Sequence, residues 1–527
     1  MSIIDNVKSV EFLPLTVVLA SIISAVILRF NLQILNIVAF VLIAYVFLCG
    51  VKEGWLLLLG IILFLFALEP TPLFVGRNEV IFISLIGVFI INAYVCAIHS
   101  KQTHAIKIVV LGSVFFLILA SLFYMHALNN HINLSDWSRG IGPFLLLYMM
   151  FPIFLSLHDN FEFKVKWLFI SFCILTLMFV FYINIIYFLE HFNSYYWIDK
   201  SNNSKIFHLT SGMDKSNFYG PFRERITLRI QQSTSEILPL GFSAFTLLAL
   251  LTQSKKLYVF ALAAAIVSLF TILETLTRSM LMAPLLVFLL WFIFYFKNKF
   301  LFLKVFTILF LAGMTFTYAT NMDGIWLGRF KTFAAGLSKL DSHPTQNIDL
   351  SESQESNQSS REDLIQSSLM SPRLGQMDRK NPDQNLIARL KEYQIAWSMF
   401  LDNPVLGAGF GVKHDIDFQT SDGRFIHETV AYVHNWAFYW LMAGGMIGFL
   451  IYSSVLFFPI LFLSRLPNQK KIKTILIFSI ILMCLYANFF AVFRLISFNL
   501  FLAFFSGITL LFWSKRNSLL SNNEARV

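Results

Sequence analysis

Charge is what this 527-residue chain has little of: Asp, Glu, Lys and Arg together make up 13% of it. Soluble domains carry about 25%, so a soluble globular fold is excluded. Cysteine is scarce as well, with four residues, Cys49, Cys96, Cys173 and Cys484, all inside apolar runs. None lies in a polar loop, so neither a disulfide framework nor a cysteine-built zinc site is implied. A broad basic face for nucleic acid is missing too. The formal net charge is +10, but the basic residues fall in short runs between apolar segments, where the positive-inside rule accounts for much of them. The apolar stretch from about residue 12 to 28 has no small-x-small cleavage site, and it reads as a first span rather than a removed signal.

What the chain has instead is apolar length. Hydrophobic residues make up 57% of it, 59 of them phenylalanine, which suits helices that face lipid. At ~20 residues per crossing, candidate spans begin near residues 12, 33, 55, 80, 106, 141, 167, 237, 257, 280, 300, 435, 475 and 495. The sequence therefore predicts an all-α polytopic membrane protein of about 12–14 transmembrane helices. Lysine-rich breaks at 255–256, 297–299, 465–473 and 515–516 recur at alternate loops and mark the cytoplasmic side.

The expected organisation is N-terminal spans over 1–189, a first long exported loop over 190–236, and central spans over 237–320. A large exported loop over 321–434, C-terminal spans over 435–516 and a cytoplasmic tail over 517–527 complete it. Within the large loop, residues 338–385 are rich in Ser, Gln, Asn and Asp and are too polar to fold alone, which predicts disorder. Order should return at Asn381-Pro382, an N-cap followed by proline at the first helical position. Leu390, Tyr393, Trp397 and Leu401 then recur at helical spacing, predicting an amphipathic helix on the bilayer or capping the spans. It should end at Asp402-Asn403-Pro404.

Arginine gathers on the exported side, at Arg223, Arg225, Arg229, Arg278, Arg329, Arg389 and Arg424, whereas the cytoplasmic breaks use mostly lysine. A guanidinium grips phosphate oxygens in two-pronged fashion where lysine offers a point charge. The cluster fits a diphosphate site at the outer membrane surface, or equally a solvated loop whose arginines pair with local acids. Arg278 sits where one span turns into the next, with almost no loop around it. A charge so close to hydrocarbon marks a functional candidate, against a pairing with Glu274 one turn earlier.

His434 and Asn435 precede the run from Trp436 to Tyr452. The imidazole can take a proton from a hydroxyl near neutral pH, and it also suits an interfacial belt beside Trp436 and Trp440. Gly444 and Gly448 read as helix-packing residues. Gly407, Gly409 and Gly411 follow a helix and a proline turn rather than a strand, so they fit a tight turn more than a dinucleotide loop. Asp415 and Asp417 have the spelling of a nucleotide-sugar metal pair but no nucleotide-binding domain to hold it. His414, His427 and Glu428 remain spare acid–base candidates.

Taken together, Arg389…Trp397…Asp402-Asn403-Pro404…Gly407-Ala408-Gly409…His434-Asn435…Gly444-Gly445-Met446-Ile447-Gly448 resembles the bacterial O-antigen ligase and polymerase superfamily over about residues 237–465. The resemblance implies a GT-C-type glycosyltransferase fold in the bacterial inner membrane, multi-pass, with its active site facing the periplasm. It implies an undecaprenyl-diphosphate-linked glycan as donor and lipid A–core or a growing glycan as acceptor, with membrane lipids around it and no nucleic acid. By position, Arg278 and Arg389 would hold the diphosphate and His434 would assist the acceptor hydroxyl; Arg223, Arg225, Arg229 and Asn435 are secondary substrate-binding candidates. One departure is Thr277-Arg278-Ser279-Met280, where the family has Ser-Arg followed by small residues. The insert over 338–385 is another.

The chemistry agrees with this reading on its own terms. Displacing a lipid diphosphate from a sugar C1 builds negative charge that preorganised arginines stabilise without a metal or other cofactor. Such a leaving group needs no protonation, so one base suffices, and in-line displacement inverts the anomeric centre. The expected function is an inverting ligase, with repeat-unit polymerisation or protein O-glycosylation as alternatives in the same superfamily. A glycan flippase is the rival from another class. Transporters place ionisable groups at mid-membrane, whereas the span centres here carry Asn36, Asn92 and Asn184.

Overall fold

The computed structural model describes residues 3–29, 51–68, 77–191, 236–275, 278–294, 299–320, 326–327, 384–419, 425–464, 470–489 and 491–524. The first half contributes α1 (Ile3–Arg29), α2 (Leu56–Phe64), α3 (Arg77–His99), α4 (Thr103–Asn129), α5 (Leu134–Leu145), α6 (Met150–Ser156) and α7 (Phe161–His191). The second half contributes α8 (Ile237–Leu251), α9 (Lys255–Glu274), α10 (Arg278–Phe294), α11 (Lys299–Ala319), α12 (Gln384–Asp402), α13 (Trp436–Ser464), α14 (Lys470–Phe489) and α15 (Ile496–Glu524).

Among the described residues nine helical segments are long and apolar enough to cross a bilayer, with four shorter apolar helices at Leu56–Ala67, Ile237–Leu251, Arg278–Ile293 and Lys473–Asn488. Each coincides with an expected span. The span expected near residue 33, the loop over 192–235 and most of the insert over 338–385 lie outside the described residues. Helices dominate because lipid offers backbone groups no hydrogen-bond partner, so each segment must satisfy its own.

Burial sorts the helices. Every residue of Leu56–Ala67 is buried, and α8 is buried along nearly its whole length. By contrast α4 turns Leu111, Leu117, Ile118 and Met125 outward, the pattern of a lipid-facing helix. Polar residues inside the bundle join helices: the Asn184 amide on α7 donates to the Thr271 hydroxyl on α9 at 2.7 Å.

The fold is helical as expected, with a small sheet element after α12. His414–Gln419 (β1) and Phe425–Val430 (β2) form a two-stranded antiparallel hairpin in which His414 faces Val430 and Gln419 faces Phe425. Its first strand packs on α12. On α12 itself the buried stripe is Glu392, Ala396 and Phe400, while Trp397 and Leu401 are exposed. The apolar face read from the sequence thus points partly away from the protein, because contact with α13 selects the neighbouring stripe.

The glycine turn is built into a broken helix. Gly445 adopts φ 61°, ψ −160° inside α13 and interrupts its ladder there. The carbonyls freed before the break accept from the turn: Ala408 N–H donates to Met442 at 2.7 Å and Gly409 N–H to Ala443 at 3.2 Å. The amides freed after it donate outward, Met446 to Pro404 at 2.9 Å and Ile447 to Val405 at 3.2 Å. From α4, His126 Nε2 and the Asn130 amide donate to the carbonyls of Gly407 and Ala408 at 2.7 and 3.0 Å. Backbone that leaves the helical ladder near lipid is tolerated only where it is re-satisfied in this way.

Gly407, Gly409, Gly411 and Gly445 all have positive φ, and a Cβ on Gly445 would run into the Val405 carbonyl group. The φ/ψ pair of Gly445 is in practice reserved for glycine and costs any other residue roughly 1–3 kcal/mol. Gly445→Ala is therefore expected to lower the thermal unfolding midpoint in detergent clearly. Gly87→Ala, in the interior of α3 where a Cβ meets nothing within 4 Å, should not lower it. Equal midpoints for the two variants would remove the structural role assigned to the break.

Candidate functional site

Helix α12 and the start of α13 meet at one pair of side chains. His434 Nδ1 lies 2.8 and 2.9 Å from the two carboxylate oxygens of Glu392, and the His434 backbone N–H donates to Oε2 at 3.0 Å. Glu392 is buried, whereas the His434 side chain keeps 26% of its surface accessible. A carboxylate can only accept, so it holds the imidazole proton on Nδ1 and leaves the lone pair of Nε2 free. Such an arrangement is suited to general-base chemistry: the acid fixes tautomer and ring direction, and Nε2 keeps a lone pair.

Local packing fixes both partners. The Tyr393 ring stacks on Phe438 at 4.9 Å with planes 2° apart, pinning α12 across the first turn of α13. Burial holds the Tyr393 phenol above its usual range, against the Arg389 charge one turn earlier and a hydrogen bond with Asn435. Asn435 caps α13, its Oδ1 accepting from Ala437 and Phe438 N–H at 2.9 and 3.2 Å. Its amide donates to Asn488 on α14 at 3.1 Å. Named in the sequence as a substrate contact, Asn435 is engaged in positioning the residue before it.

The arginines divide. Arg389 lies one helical turn before Glu392 and is partly exposed, so it shares the site by helix geometry. Arg278 opens α10, which packs on α14, with Phe288 and Phe478 in contact at 4.5 Å. The positions of Arg223, Arg225 and Arg229 lie outside the described residues, as do that of Arg424 and the side chains of Asp417, His427 and Glu428. Asp415 accepts a hydrogen bond from the Thr429 hydroxyl at 2.6 Å.

Two groups at the site escaped the sequence reading. Glu392 is one. The other is Arg494, in the 3-10 turn Ala491–Arg494 before α15. Its guanidinium lies over the Tyr432 ring at 4.9 Å and near Tyr439 at 5.9 Å, and Tyr432 in turn lies 5.2 Å from the His434 ring. Its Nε is buried without a hydrogen-bond partner. The signal that singled out Arg278, an arginine between two spans with almost no loop, applies equally to Arg494.

Residues 240–453 match the family model described as O-antigen ligase. Over this stretch the chain is similar to an O-antigen ligase domain. The match bears out the resemblance to the O-antigen ligase-related superfamily and nearly reproduces the extent read from the motifs. No curated protein matches the chain at a significant level. The matched stretch holds Arg278, Arg389, Glu392 and His434 and stops before Arg494. The chain is thus a multi-pass membrane protein with O-antigen ligase-like function in polysaccharide assembly. The family implies a glycosyltransferase-type ligase or polymerase activity, with a lipid-linked glycan and a glycan acceptor as substrates.

Proposed function

We propose that the protein is an inverting, metal-independent ligase that transfers a glycan from undecaprenyl diphosphate at the periplasmic face of the inner membrane. The observation that carries this reading is the His434–Glu392 pair, an imidazole oriented by a buried carboxylate with Arg389 one helical turn away. In the reaction, His434 Nε2 takes the proton of the acceptor hydroxyl as its oxygen forms a bond to sugar C1. The bond from C1 to the phosphate oxygen breaks, and the diphosphate departs with the electron pair. Arg278 and Arg389, with Arg494 added from the structure, stabilise the charge that develops there. Arg223, Arg225 and Arg229 remain secondary candidates for the same diphosphate, and the GT-C-type fold belongs to this reading.

The asparagines inside the spans do not favour a translocation path. Asn184 bonds Thr271, and Asn92 packs against Gly54, both as links between helices. Repeat-unit polymerisation stays the alternative within the superfamily. The test is to supply pure protein with undecaprenyl-diphosphate glycan, with and without lipid A–core. A single shift that needs the lipid A–core supports ligation, and a ladder without it supports polymerisation. Absence of turnover together with glycan movement across vesicles would overturn the enzyme reading.

A further inference from the structure

A second imidazole lies within electrostatic reach of Glu392. His414 opens β1, and strand alternation sends it to the same face as Ile416, while Val430 faces it across the ladder; all three are buried. The strand that carries His414 packs on α12. An aliphatic residue would fill such a slot at no polar cost. Instead the slot holds a histidine that is 8% exposed, with neither Nδ1 nor Nε2 hydrogen-bonded. Native interiors rarely leave buried polar atoms unmatched, and an unmatched one signals a functional contact or an occupant from outside.

The surroundings define what could occupy it. Glu392 and Asp415 lie within electrostatic reach of the ring, yet burial outweighs both and holds the imidazole below its usual range. The ring is therefore neutral near pH 7 and offers one N–H donor and one lone-pair acceptor. A diphosphate would meet the Glu392 and Asp415 carboxylates here. A sugar hydroxyl, which both gives and accepts a hydrogen bond, matches the ring. The preceding residue is anchored, since Lys413 Nζ pairs with Asp136 on α5 at 2.8 Å.

We propose that His414 binds the acceptor glycan, holding one of its hydroxyls beside the His434–Glu392 pair. This rests on the reading of that pair as the transfer centre. His414 is then a specificity residue for a neutral polyol acceptor, distinct from the arginines that hold the donor.

The test uses the full-length protein in vesicles with undecaprenyl-diphosphate glycan as donor. The acceptor is lipid A–core, or the growing glycan if wild type makes a ladder without it. His414→Ala is expected to raise the acceptor KM about tenfold, the equivalent of one lost buried hydrogen bond. The donor KM and kcat should stay within about threefold, too little for a catalytic group. His414→Gln, which keeps a neutral donor and acceptor, should recover most of the loss, and it carries the test if the alanine variant does not fold. An unchanged acceptor KM in both variants would overturn the proposal, as would a rise confined to the donor KM or a fall confined to kcat. A His434→Ala protein that transfers at the wild-type rate would instead remove the transfer centre itself, whatever His414 does.

Discussion

Replacing His434 with alanine is expected to lower kcat for glycan transfer by about 10²–10⁴-fold, the range a positioned general base contributes. The acceptor hydroxyl is a poor nucleophile until its proton leaves, and no other described side chain is both bonded to a buried carboxylate and open to substrate. Donor and acceptor KM should change little, because Nε2 acts on a proton that is shared only in the transition state. Folding should survive. The cap on α13 comes from Asn435, and Glu392 keeps the backbone N–H of residue 434 as a donor at 3.0 Å. The measurement is single-turnover transfer with purified variant, alongside its thermal midpoint. A folded His434→Ala protein that turns over at the wild-type rate would end the assignment of the base.

His434 was legible because a histidine–asparagine pair before an apolar run stands out in a chain so short of charge. Glu392 was not. It lies on a helix that also offers Arg389, Lys391 and Gln394, and periodicity marked Leu390, Tyr393, Trp397 and Leu401 as the buried face. Which stripe turns inward is decided by α13, a contact across 42 residues, and no local pattern carries that information. The broken span was hidden for a related reason. Gly444-Gly445 inside a hydrophobic run looks like a close helix contact, and the break shows only when the Pro404–Gly409 turn donates to and accepts from the freed backbone.

The hairpin could have been found. His414–Gln419 and Phe425–Val430 flank Ser421-Asp422-Gly423, a turn signal between short runs of mixed polarity, but the polar setting made the segment read as loop. The spans themselves were plain from hydropathy, since length and apolarity are all the bilayer asks of them.

The dyad also predicts how the acid works, and Glu392→Gln isolates it. The glutamine keeps the size of the side chain, and its carbonyl can still accept from the His434 backbone N–H. Its NH₂ then lies where the second oxygen was, and it donates to Nδ1 instead of accepting from it. The proton is driven to Nε2, the nitrogen that must receive one, so the ring stays in place with the wrong tautomer. In serine-protease triads the corresponding acid-to-amide change costs about 10⁴-fold in kcat with geometry intact. Here a fall of roughly 10²–10⁴-fold is expected, with both KM values nearly unchanged. Glu392→Asp keeps an acceptor-only group and should restore part of the rate, whereas a merely structural role would rank the two variants by fit and favour the isosteric glutamine. The decisive comparison is therefore the order of the conservative pair. If the glutamine variant transfers faster than the aspartate variant, Glu392 braces α12 and the imidazole finds its direction by other means.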